Sequence, residues 1–324
     1  MESRDDGYAL SGAGSLASIP EDWIAPPLVT MTPELRARLD KGASQASAHK
    51  YDHGHALVLA GGLGAGGAAR LGARAALRIG AGLVSLLCPQ AALSENTAQL
   101  TGVMVRVLPD SFSLRGMLQD KRLNAILLGP GLGLARAREM VPAALFNPRA
   151  TVLDADALSA FEGDPTLLFG QLHEGCVLTP HRGEFRRLFP DLAAQLDGAS
   201  GEGEADGEIA RVHGDAVQAA ASRAGCTVLL KGQKTVIASP RRDAVSLHSA
   251  TGARSAPWLA TAGAGDVLAG LIVGLMARGF EPHDAAAAGA WLHVEAALSF
   301  GPGLIAEDLP DQIPAVLRGV LAAP

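Results

Sequence analysis

The stretch ALVLAGGLGAGGAARLGARAALRIGAGLVSLL, residues Ala56–Leu87, decides the fold class of this chain. It begins and ends with short apolar runs, Ala56–Ala60 and Leu83–Leu87, which are typical of buried strands. Between them, a glycine-rich turn leads into an alanine-rich segment that carries arginines at intervals of four, the spacing of one helix face. A strand, a helix and a second strand in this order predict a βαβ unit with parallel strands.

Similar runs follow along the chain, with helical segments between most of them. They are VMVRV at 103–107, NAILL at 124–128, ATVL at 150–153, CVLT at 176–179 and CTVLLK at 226–231. Most are apolar on both faces, as strands are when helices cover both sides of a parallel sheet. Lys234–Ser239 and Ala244–His248 then predict a hairpin at the edge of the sheet, turned by residues 240–243. We therefore expect an α/β fold with a mostly parallel central sheet and helices on both faces.

The composition excludes several classes of protein. Of the 324 residues, 48% are hydrophobic and 19% are charged, so the chain can bury enough apolar surface to fold. Its net charge of -6 gives no reason to expect nucleic acid or an anionic membrane as a partner. The longest apolar run, Val267–Ala277, is too short to span a membrane, and residues 1–20 lack the apolar core of a signal peptide.

The first part of the chain differs from the rest. It is rich in Ser, Gly and Pro and has one short helical signal, at Thr32–Asp40. We expect residues 1–44 to be a partly disordered arm or linker, and residues 45–324 to form a single domain. The acidic, glycine-rich segment Asp197–Glu208 is predicted to be a surface loop. The three cysteines lie in or beside apolar runs, which favours buried, reduced thiols and a cytoplasmic location: Cys88, Cys176 and Cys226.

Glycine-rich turns follow two of the predicted strands. Gly61–Ala69 comes after the first strand, and Leu128–Gly133 (LGPGLG) comes after the fourth. Glycines at such places let a ligand approach the main chain, and the N-terminus of the following helix attracts anions. The first turn is equally typical of a tight connection between a strand and a helix, without a ligand. The arginines after it favour a solvated stripe on one helix face: Arg70, Arg74 and Arg78.

Acidic residues and a histidine follow the next two strands. Asp154 and Asp156 are placed to hold a ribose, a water or a metal ion, or alternatively to cap the next helix. His181 and Glu184, in the motif TPHRGEF, are three residues apart at the start of a predicted helix, so both can face the same cleft. Together these motifs predict a ligand site, because open α/β sheets bind ligands at the carboxyl ends of their strands.

The segment ATAGAGDVLAGLIVGLMARG, Ala260–Gly279, carries the clearest indication of chemistry. Asp266 opens an apolar helix there, and the positive end of that helix points back at the preceding loop. Exposed amides in this loop would neutralise a phosphoryl group, and the carboxylate would accept a hydroxyl proton. Asp266 could instead cap the helix, but a cap does not need so many small residues before it. Those residues are Ala262, Gly263, Ala264 and Gly265.

In this order, the motifs resemble the ADP-dependent NAD(P)H-hydrate dehydratases of the ribokinase-like superfamily. The match runs from about His49 to the C-terminus and rests on HKYDHGHALVLAGG, GAARLGARAALRIGAGLVSL, LGPGLG, LDADAL, LTPHRGEFRRL and ATAGAGDVLAG. The resemblance implies a ribokinase-like three-layer sandwich. It also implies metabolite repair: dehydration of (6S)-NADHX and (6S)-NADPHX, the hydrated cofactors, back to NADH and NADPH, with ADP consumed and AMP and phosphate released.

The resemblance also implies roles for individual residues. Asp266 matches the catalytic aspartate of the family and contacts the substrate. Three more residues match positions that contact the hydrated dinucleotide: Ala68, Gly133 and His181. Six match positions that bind the adenine nucleotide: Lys231, Gly232, Gln233, Lys234, Thr235 and Gly265. Ala262 and Ala264 replace Gly and Thr of many relatives, so their amides remain although one hydroxyl contact is lost. Mg²⁺ is the implied cofactor, with Glu184 or Asp154 as candidate ligands.

The resemblance implies small-molecule substrates and two kinds of protein partner. A homo-oligomer is expected, together with functional partnership with a separate NAD(P)HX epimerase, because many relatives carry an epimerase domain ahead of this one. Two other functions stay open. One is a kinase of the same superfamily that phosphorylates a vitamin alcohol or a sugar; LGPGLG and TPHRGE favour the dehydratase over it. The other is a nucleotide-binding protein without activity, which the carboxylate of Asp266 disfavours.

Overall fold

A nine-stranded sheet with helices on both faces runs through the computed structural model, which describes residues 29–42, 49–198, 206–241 and 245–322. The strands are β1 (His55–Leu59), β2 (Leu83–Cys88), β3 (Met104–Val107), β4 (Ala125–Leu128), β5 (Ala150–Leu153), β6 (Cys176–Leu178), β7 (Thr227–Leu230), β8 (Lys234–Ala238) and β9 (Ser246–Ser249). The first helices are α1 (Pro33–Leu39), α2 (Gly67–Arg78), α3 (Leu93–Gln99), α4 (Ser111–Met117), α5 (Leu134–Leu145), α6 (Asp156–Ser159) and α7 (Thr166–Phe169). The others are α8 (Arg182–Leu188), α9 (Pro190–Gly198), α10 (Asp206–Ala224), α11 (Ala264–Ala277), α12 (Pro282–Phe300) and α13 (Leu309–Ala322).

The strand order is β3-β2-β1-β4-β5-β6-β7-β8-β9. Strands β1 to β7 are parallel, and β8 and β9 pair antiparallel as the predicted edge hairpin. The strand order reverses between β1 and β4, which are neighbours, and such switch points are where open α/β sheets bind ligands. The two glycine-rich turns follow these two strands. The expected mostly parallel sheet is therefore confirmed, and its carboxyl edge carries the predicted motifs.

Two apolar cores lie on opposite faces of the sheet. One is formed with α2, α3, α11, α12 and α13, and the other with the helices from α4 to α10. Strand β1 is buried along its whole length because both faces are covered. This arrangement confirms the three layers expected from the sequence, and the three cysteines are buried in these cores as predicted. Among the described residues, no helix has the length and apolar character that crossing a membrane requires.

Helices α2 and α11 pack with their backbones in contact. A Cβ atom built on Gly270 of α11 would lie only 2.3 Å from the carbonyl oxygen of Gly72 in α2. Glycine is required at such a crossing, because any side chain would push the helices apart. The close crossing brings the N-terminus of α2, and the glycine-rich turn before it, beside the N-terminus of α11.

The arginine face of α2 is paired rather than simply solvated. Arg74 and Arg78 each lie 2.8 Å from a carboxylate oxygen of Asp311, at the start of α13. Arg70 donates a hydrogen bond to the side chain of Asn96 in α3. These contacts join α2 to its neighbours, although exposed pairs of this kind contribute little stability each.

The described part of the predicted N-terminal arm lies against the domain. Helix α1 packs against α13, and Arg38 pairs with Asp284 of α12 at 2.9 Å. The amide of Val29 donates to the carbonyl of Leu247 in β9. Residues 29–42 are thus docked on the fold, whereas the rest of the predicted arm, residues 1–28 and 43–44, lies outside the described residues.

The prediction of a surface loop over Asp197–Glu208 is wrong at both ends of the segment. Helix α9 includes Asp197, and helix α10 already begins at Asp206. The carboxylate of Asp197 accepts hydrogen bonds from Arg182 and Arg186 of α8, which explains why the helix continues to this point. Residues 199–205 lie outside the described residues.

Candidate active site

The N-terminus of α11 presents backbone amides at the carboxyl edge of the sheet. The helix begins at Ala264, two residues earlier than the pattern of small residues indicated, and its N-cap is Gly263. Gly263 has a φ of 91°, and a Cβ atom there would lie 2.8 Å from Leu71 and from Ala306. No side chain caps this end, and among the described residues the amides of Gly265 and Asp266 have no hydrogen-bond acceptor. The end of the helix therefore offers an anion site.

Asp266 lies in the first turn of α11 and is half-buried. It is not the N-cap, so the capping alternative raised by the sequence is wrong. Burial and the charge of Asp154 together raise the pKa of Asp266 to about 6, although Lys231 opposes them. A carboxylate whose pKa lies near physiological pH is suited to act as a general base.

Lys231 lies between the carboxylates of the site. Its Nζ is 2.6 Å from Oδ1 of Asp154, and both side chains are largely buried. Burial alone would lower the pKa of Lys231, but Asp154, Glu184 and Asp266 outweigh it and raise the pKa. A Cβ atom on Gly265 would lie 3.4 Å from this Nζ, so the ammonium group reaches the first turn of α11. The ammonium group of Lys231 is thus paired with Asp154 and lies near the charges of Glu184 and Asp266, beside the anion site.

Asp154 and Asp156 flank a strained residue after β5. Ala155 has a φ of 46°, the only positive φ at a described residue other than glycine, and strain of this kind is concentrated at functional sites. On one side of this residue, Asp154 accepts a hydrogen bond from Lys231. On the other side, Asp156 accepts a hydrogen bond from the amide of Gly133 at 2.8 Å. Neither carboxylate caps α6, because no side chain caps that helix. The capping alternative is therefore wrong here too.

His181 and Glu184 form a capping box at the start of α8. Nδ1 of His181 accepts the amide of Gly183 at 2.9 Å, and Glu184 accepts the amide of His181 at 2.8 Å. The side chain of His181 is 54% exposed, whereas that of Glu184 is 6% exposed. The amide of Lys231 donates to the carbonyl of Pro180, which fixes this motif beside the Lys231 segment. His181 therefore braces its own loop, and its ring remains half exposed.

A cavity of about 350 Å³ lies between the β7–β8 connection and helices α11 and α12. Its walls include five of the six predicted nucleotide-binding residues: Lys231, Gly232, Gln233, Thr235 and Gly265. The sixth, Lys234, starts β8 and does not line the cavity. Sequence reasoning missed two buried histidines that also line the cavity: His248, which pairs with Thr235 across β8 and β9, and His293 of α12. Burial lowers the pKa of each to about 4, so both are neutral at physiological pH.

Comparison with protein families decides what kind of site this is. Residues 56–314 match the family model for NAD(P)H-hydrate dehydratase. The chain belongs to the NAD(P)H-hydrate dehydratase family. The dehydratase region therefore begins in β1 and ends within α13, and it contains all the motifs described above except the first residues of HKYDHGHALVLAGG, which begins at His49.

Two relatives of this dehydratase-family chain have names that describe an activity. A bifunctional NAD(P)H-hydrate repair enzyme from Moorella thermoacetica is 37% identical over 296 residues, covering 85% of this chain and 51% of the relative. This chain thus spans about half the length of the bifunctional relatives. An ADP-dependent (S)-NAD(P)H-hydrate dehydratase from Neisseria meningitidis is 34% identical over 263 residues, covering 79% of this chain and 80% of that protein.

Solved structures with a similar fold include a dehydratase. An ADP/ATP-dependent NAD(P)H-hydrate dehydratase from Bacillus subtilis, co-crystallised with ATP and Mg²⁺, superposes with a TM-score of 0.69 at 25% identity. The superposition covers 91% of this chain and 99% of that one. A ribokinase-like superfamily protein from Enterococcus faecalis gives a TM-score of 0.70 at 22% identity, over 89% and 95% of the two chains. The ribokinase-like fold expected from the sequence is confirmed.

The fold brings most of the predicted site residues to the carboxyl edge of the sheet. Ala68 and Gly133 belong to the two glycine-rich turns, which are in contact: a Cβ atom on Gly131 would lie 3.4 Å from Cβ of Ala68. Asp156 links the second turn to the carboxylates around Asp266. The predicted residues therefore form two groups, one at the glycine-rich turns and one around the 350 Å³ cavity, which Gly265, the residue before Asp266, lines.

Proposed function

We propose that this chain dehydrates (6S)-NADHX and (6S)-NADPHX to NADH and NADPH, consuming ADP and releasing AMP and phosphate. The observation that carries the proposal is the position of Asp266, a half-buried carboxylate with a pKa of about 6 in the first turn of an uncapped helix. It lies between an amide-lined anion site and two glycine-rich turns. The name of the relative from Neisseria meningitidis, an ADP-dependent (S)-NAD(P)H-hydrate dehydratase, supports the same reaction.

The 350 Å³ cavity is the proposed site of the adenine nucleotide. It is bordered by residues 231–233, Thr235 and Gly265, which are among the predicted nucleotide contacts. In this arrangement the base lies against the neutral histidines, and the phosphates extend toward the amides at 262–265 and toward the ammonium group of Lys231. Lys234 is proposed as a more distant contact at the start of β8.

The hydrated dinucleotide is proposed to lie across the glycine-rich turns. Ala68 and Gly133 are on these turns, and the ring of His181 is exposed on the neighbouring loop. Main chain without bulky side chains lets the reduced ring approach Asp266. Both substrates then meet at the N-terminus of α11.

The chemistry follows from this placement. The hydrate bears its hydroxyl on the ring carbon beside the nitrogen, and hydroxide is a poor leaving group. Asp266 would remove the hydroxyl proton as the oxygen attacks the terminal phosphorus of ADP, and AMP would leave with the electrons of the broken P–O bond. The amides of 262–265 and Lys231 would stabilise the transferring phosphoryl group. The lone pair of the ring nitrogen would then expel phosphate, and loss of a ring proton would restore the reduced nicotinamide.

Mg²⁺ fits the donor chemistry of the site. Among the described residues, no three His, Cys, Asp or Glu side chains converge as a complete metal site. Mg²⁺ does not require one, because it usually keeps several waters and takes one or two carboxylates together with substrate phosphates. Glu184 and Asp154 are the proposed carboxylates, since both lie around Lys231. When bound there, the ion would shield the negative charge of the phosphates.

Turnover tests the proposed function directly. Purified chain is incubated with hydrated NADH and either ADP or ATP, while the absorbance of reduced nicotinamide and the release of AMP and phosphate are followed. We expect absorbance to return with ADP, and AMP and phosphate to form in equal amounts. Accumulation of a phosphorylated alcohol without regained absorbance would favour the kinase instead, and binding without any turnover would favour a silent nucleotide-binding protein.

An epimerase is the proposed functional partner. The bifunctional names of several relatives support this, since this chain matches about half of each. An enzyme specific for one epimer of the hydrate needs a second activity to use the other epimer. Adding a separate epimerase to an equal mixture of the two epimers should therefore raise the final yield of NADH from about half to nearly complete conversion. The predicted homo-oligomer is checked by sedimentation equilibrium.

A further inference from the structure

A second cavity, of about 390 Å³, lies at the opposite edge of the sheet from Asp266. It is bordered by the first residues of β1, β2 and β3 and by the chain that follows α4. Parallel strands run away from this edge toward the catalytic groove, so the two cavities are separated by the length of the sheet. Nothing in the proposed dehydration uses this second cavity.

The floor of the second cavity is polar where the sheet is otherwise apolar. His55 and Ser85 share a face with Leu57, Leu59 and Leu87, because residues two apart in a strand point the same way. His55 is 6% exposed, and its Nε2 lies 2.9 Å from Oγ of Ser85. Among the described residues, the other ring nitrogen of His55 has no hydrogen-bond partner, so it is available to a ligand in the cavity.

The walls of the second cavity carry excess positive charge. Arg122 is paired with Asp120 at 2.7 Å, whereas Lys50 and Arg106 have no carboxylate partner among the described residues. Burial lowers the pKa of His55, and the nearby charge of Arg106 adds to this effect. In a chain whose net charge is -6, a cavity with two uncompensated cations attracts anions.

A flat aromatic surface lies beside these cations. The ring of Tyr51 is 40% exposed at the rim, and its centroid lies 5.3 Å from Cζ of Arg122 and 5.5 Å from Nζ of Lys50. Met104 adds an exposed apolar side chain on the sheet side of the cavity. The ring of His49, which is exposed, stacks on that of Tyr51 at a centroid distance of 5.3 Å. A flat ring thus fits this surface, and the ring of a ligand would stack there in place of His49, beside the cations.

We propose that this second cavity binds a small organic phosphate that carries a flat ring. The phosphate group lies against Lys50 and Arg106, the free ring nitrogen of His55 donates to it, and the flat ring stacks on Tyr51. The volume is near the lower end of the range for ligand sites, which suits a molecule about the size of a mononucleotide.

Fluorescence titration with 1-naphthyl phosphate tests this proposal. The probe has a dianionic phosphate and a flat ring, and 1-naphthol and inorganic phosphate provide each part alone. We expect saturable binding that neither part matches alone. Arg106→Gln should weaken binding by about tenfold, the effect of losing one charge-assisted hydrogen bond. Arg318→Gln removes the same charge from an exposed site on α13 and should leave the affinity unchanged.

The result distinguishes this cavity from the catalytic groove. Absence of saturable binding, or equal binding by both arginine variants, overturns the proposal. Gly265→Ala adds a methyl group beside Lys231 at the N-terminus of α11 and should leave the affinity for the probe unchanged. Loss of probe binding in that variant assigns the binding to the other edge of the sheet and overturns the proposal too, whether or not the dehydratase reaction is found. Equal affinity for inorganic phosphate rules out the ring site on Tyr51. Melting curves of both variants, together with a Lys50→Gln variant, separate loss of binding from loss of folding.

Discussion

Nζ of Lys231 lies 2.6 Å from Oδ1 of Asp154, and this ion pair joins the end of β7 to the turn after β5. The side chain of Asp154 is only 2% exposed, so water cannot replace a lost partner. A buried pair adds little net stability because desolvation offsets the attraction, but removal of one partner leaves an uncompensated charge. The pair therefore serves mainly to hold an ammonium group beside Asp266.

Replacement of Asp154 tests the importance of this pair for stability. Asp154→Asn should lower the free energy of unfolding by about 2–4 kcal/mol, because Lys231 then lies in the site without its closest anion. Asp311→Asn breaks the exposed pairs with Arg74 and Arg78 and should cost under about 1 kcal/mol. Urea denaturation measures both. Equal losses in the two variants would show that the Asp154 pair behaves like an exposed one.

Replacement of Asp266 tests the catalytic base. Asp266→Asn keeps the shape of the side chain but cannot accept the hydroxyl proton, so kcat should fall by about 10²–10⁴. The affinity for ADP, measured by calorimetry, should change little, because the amides that face the phosphates remain. Turnover by the Asn variant within a few-fold of the wild-type rate would remove Asp266 from its proposed role.

The raised pKa of Asp266 predicts the pH dependence of the reaction. The base must be ionised to act, so kcat/KM should rise with pH through about 6 and then level off. The buffer, ionic strength and Mg²⁺ concentration are held constant across the series. A profile that is already flat at pH 5 would mean that another group accepts the proton.

The same pKa shift predicts that the carboxylate of Asp266 destabilises the fold. The pKa of Asp266 is about 6 in the folded chain and 3.8 in the unfolded chain, so the folded chain binds more protons between these values. Stability therefore falls as the pH rises through this window, by up to ~3 kcal/mol. Asp266→Asn should thus melt at a higher temperature than the wild type at pH 7, and the difference should vanish below pH 4. An Asn variant that is less stable at pH 7 would contradict this.

The sequence predicted the strands and the helix that follows the small-residue loop well because their signals are local. The apolar runs at Ala56–Ala60 and Leu83–Leu87 agree with β1 and β2 to within a residue, and Asp266 follows a run of small residues with few other uses. The pair between Lys231 and Asp154 could not be foreseen, because the two residues are 77 positions apart. Only the strand order, which separates β5 from β7 by a single strand, brings them together.

The two buried histidines of the nucleotide cavity were missed for a different reason. His293 lies in the middle of the apolar helix α12, and His248 lies in a short edge strand. A polar residue on an otherwise apolar helix face was the available signal, but it does not distinguish a ligand site from a satisfied core histidine.

The two glycines at the start of α11 should respond differently to substitution. Gly263→Ala forces a side chain into a backbone with φ of 91° and to within 2.8 Å of Leu71 and Ala306, so stability should fall by about 1–3 kcal/mol. Gly265→Ala meets only Nζ of Lys231, at 3.4 Å, and should fold normally but bind ADP more weakly because the methyl group lies where a phosphate approaches. Melting and calorimetry on both variants check this. Unchanged ADP affinity in Gly265→Ala would argue against phosphate contact with its amide.

The last prediction separates two roles of His181, capping α8 and contacting the hydrated dinucleotide. His181→Ala removes the acceptor for the amides of Gly183 and Glu184 and should cost about 1 kcal/mol of stability. His181→Asn supplies a good capping side chain without the imidazole ring, so its melting temperature should stay near that of the wild type. If the exposed ring contacts the hydrate, both variants should bind hydrated NADH more weakly while their affinity for ADP is unchanged, because the two ligands lie on different sides of Asp266. Normal hydrate affinity in the Asn variant, together with weakened binding of both ligands in the less stable Ala variant, would assign His181 to capping alone.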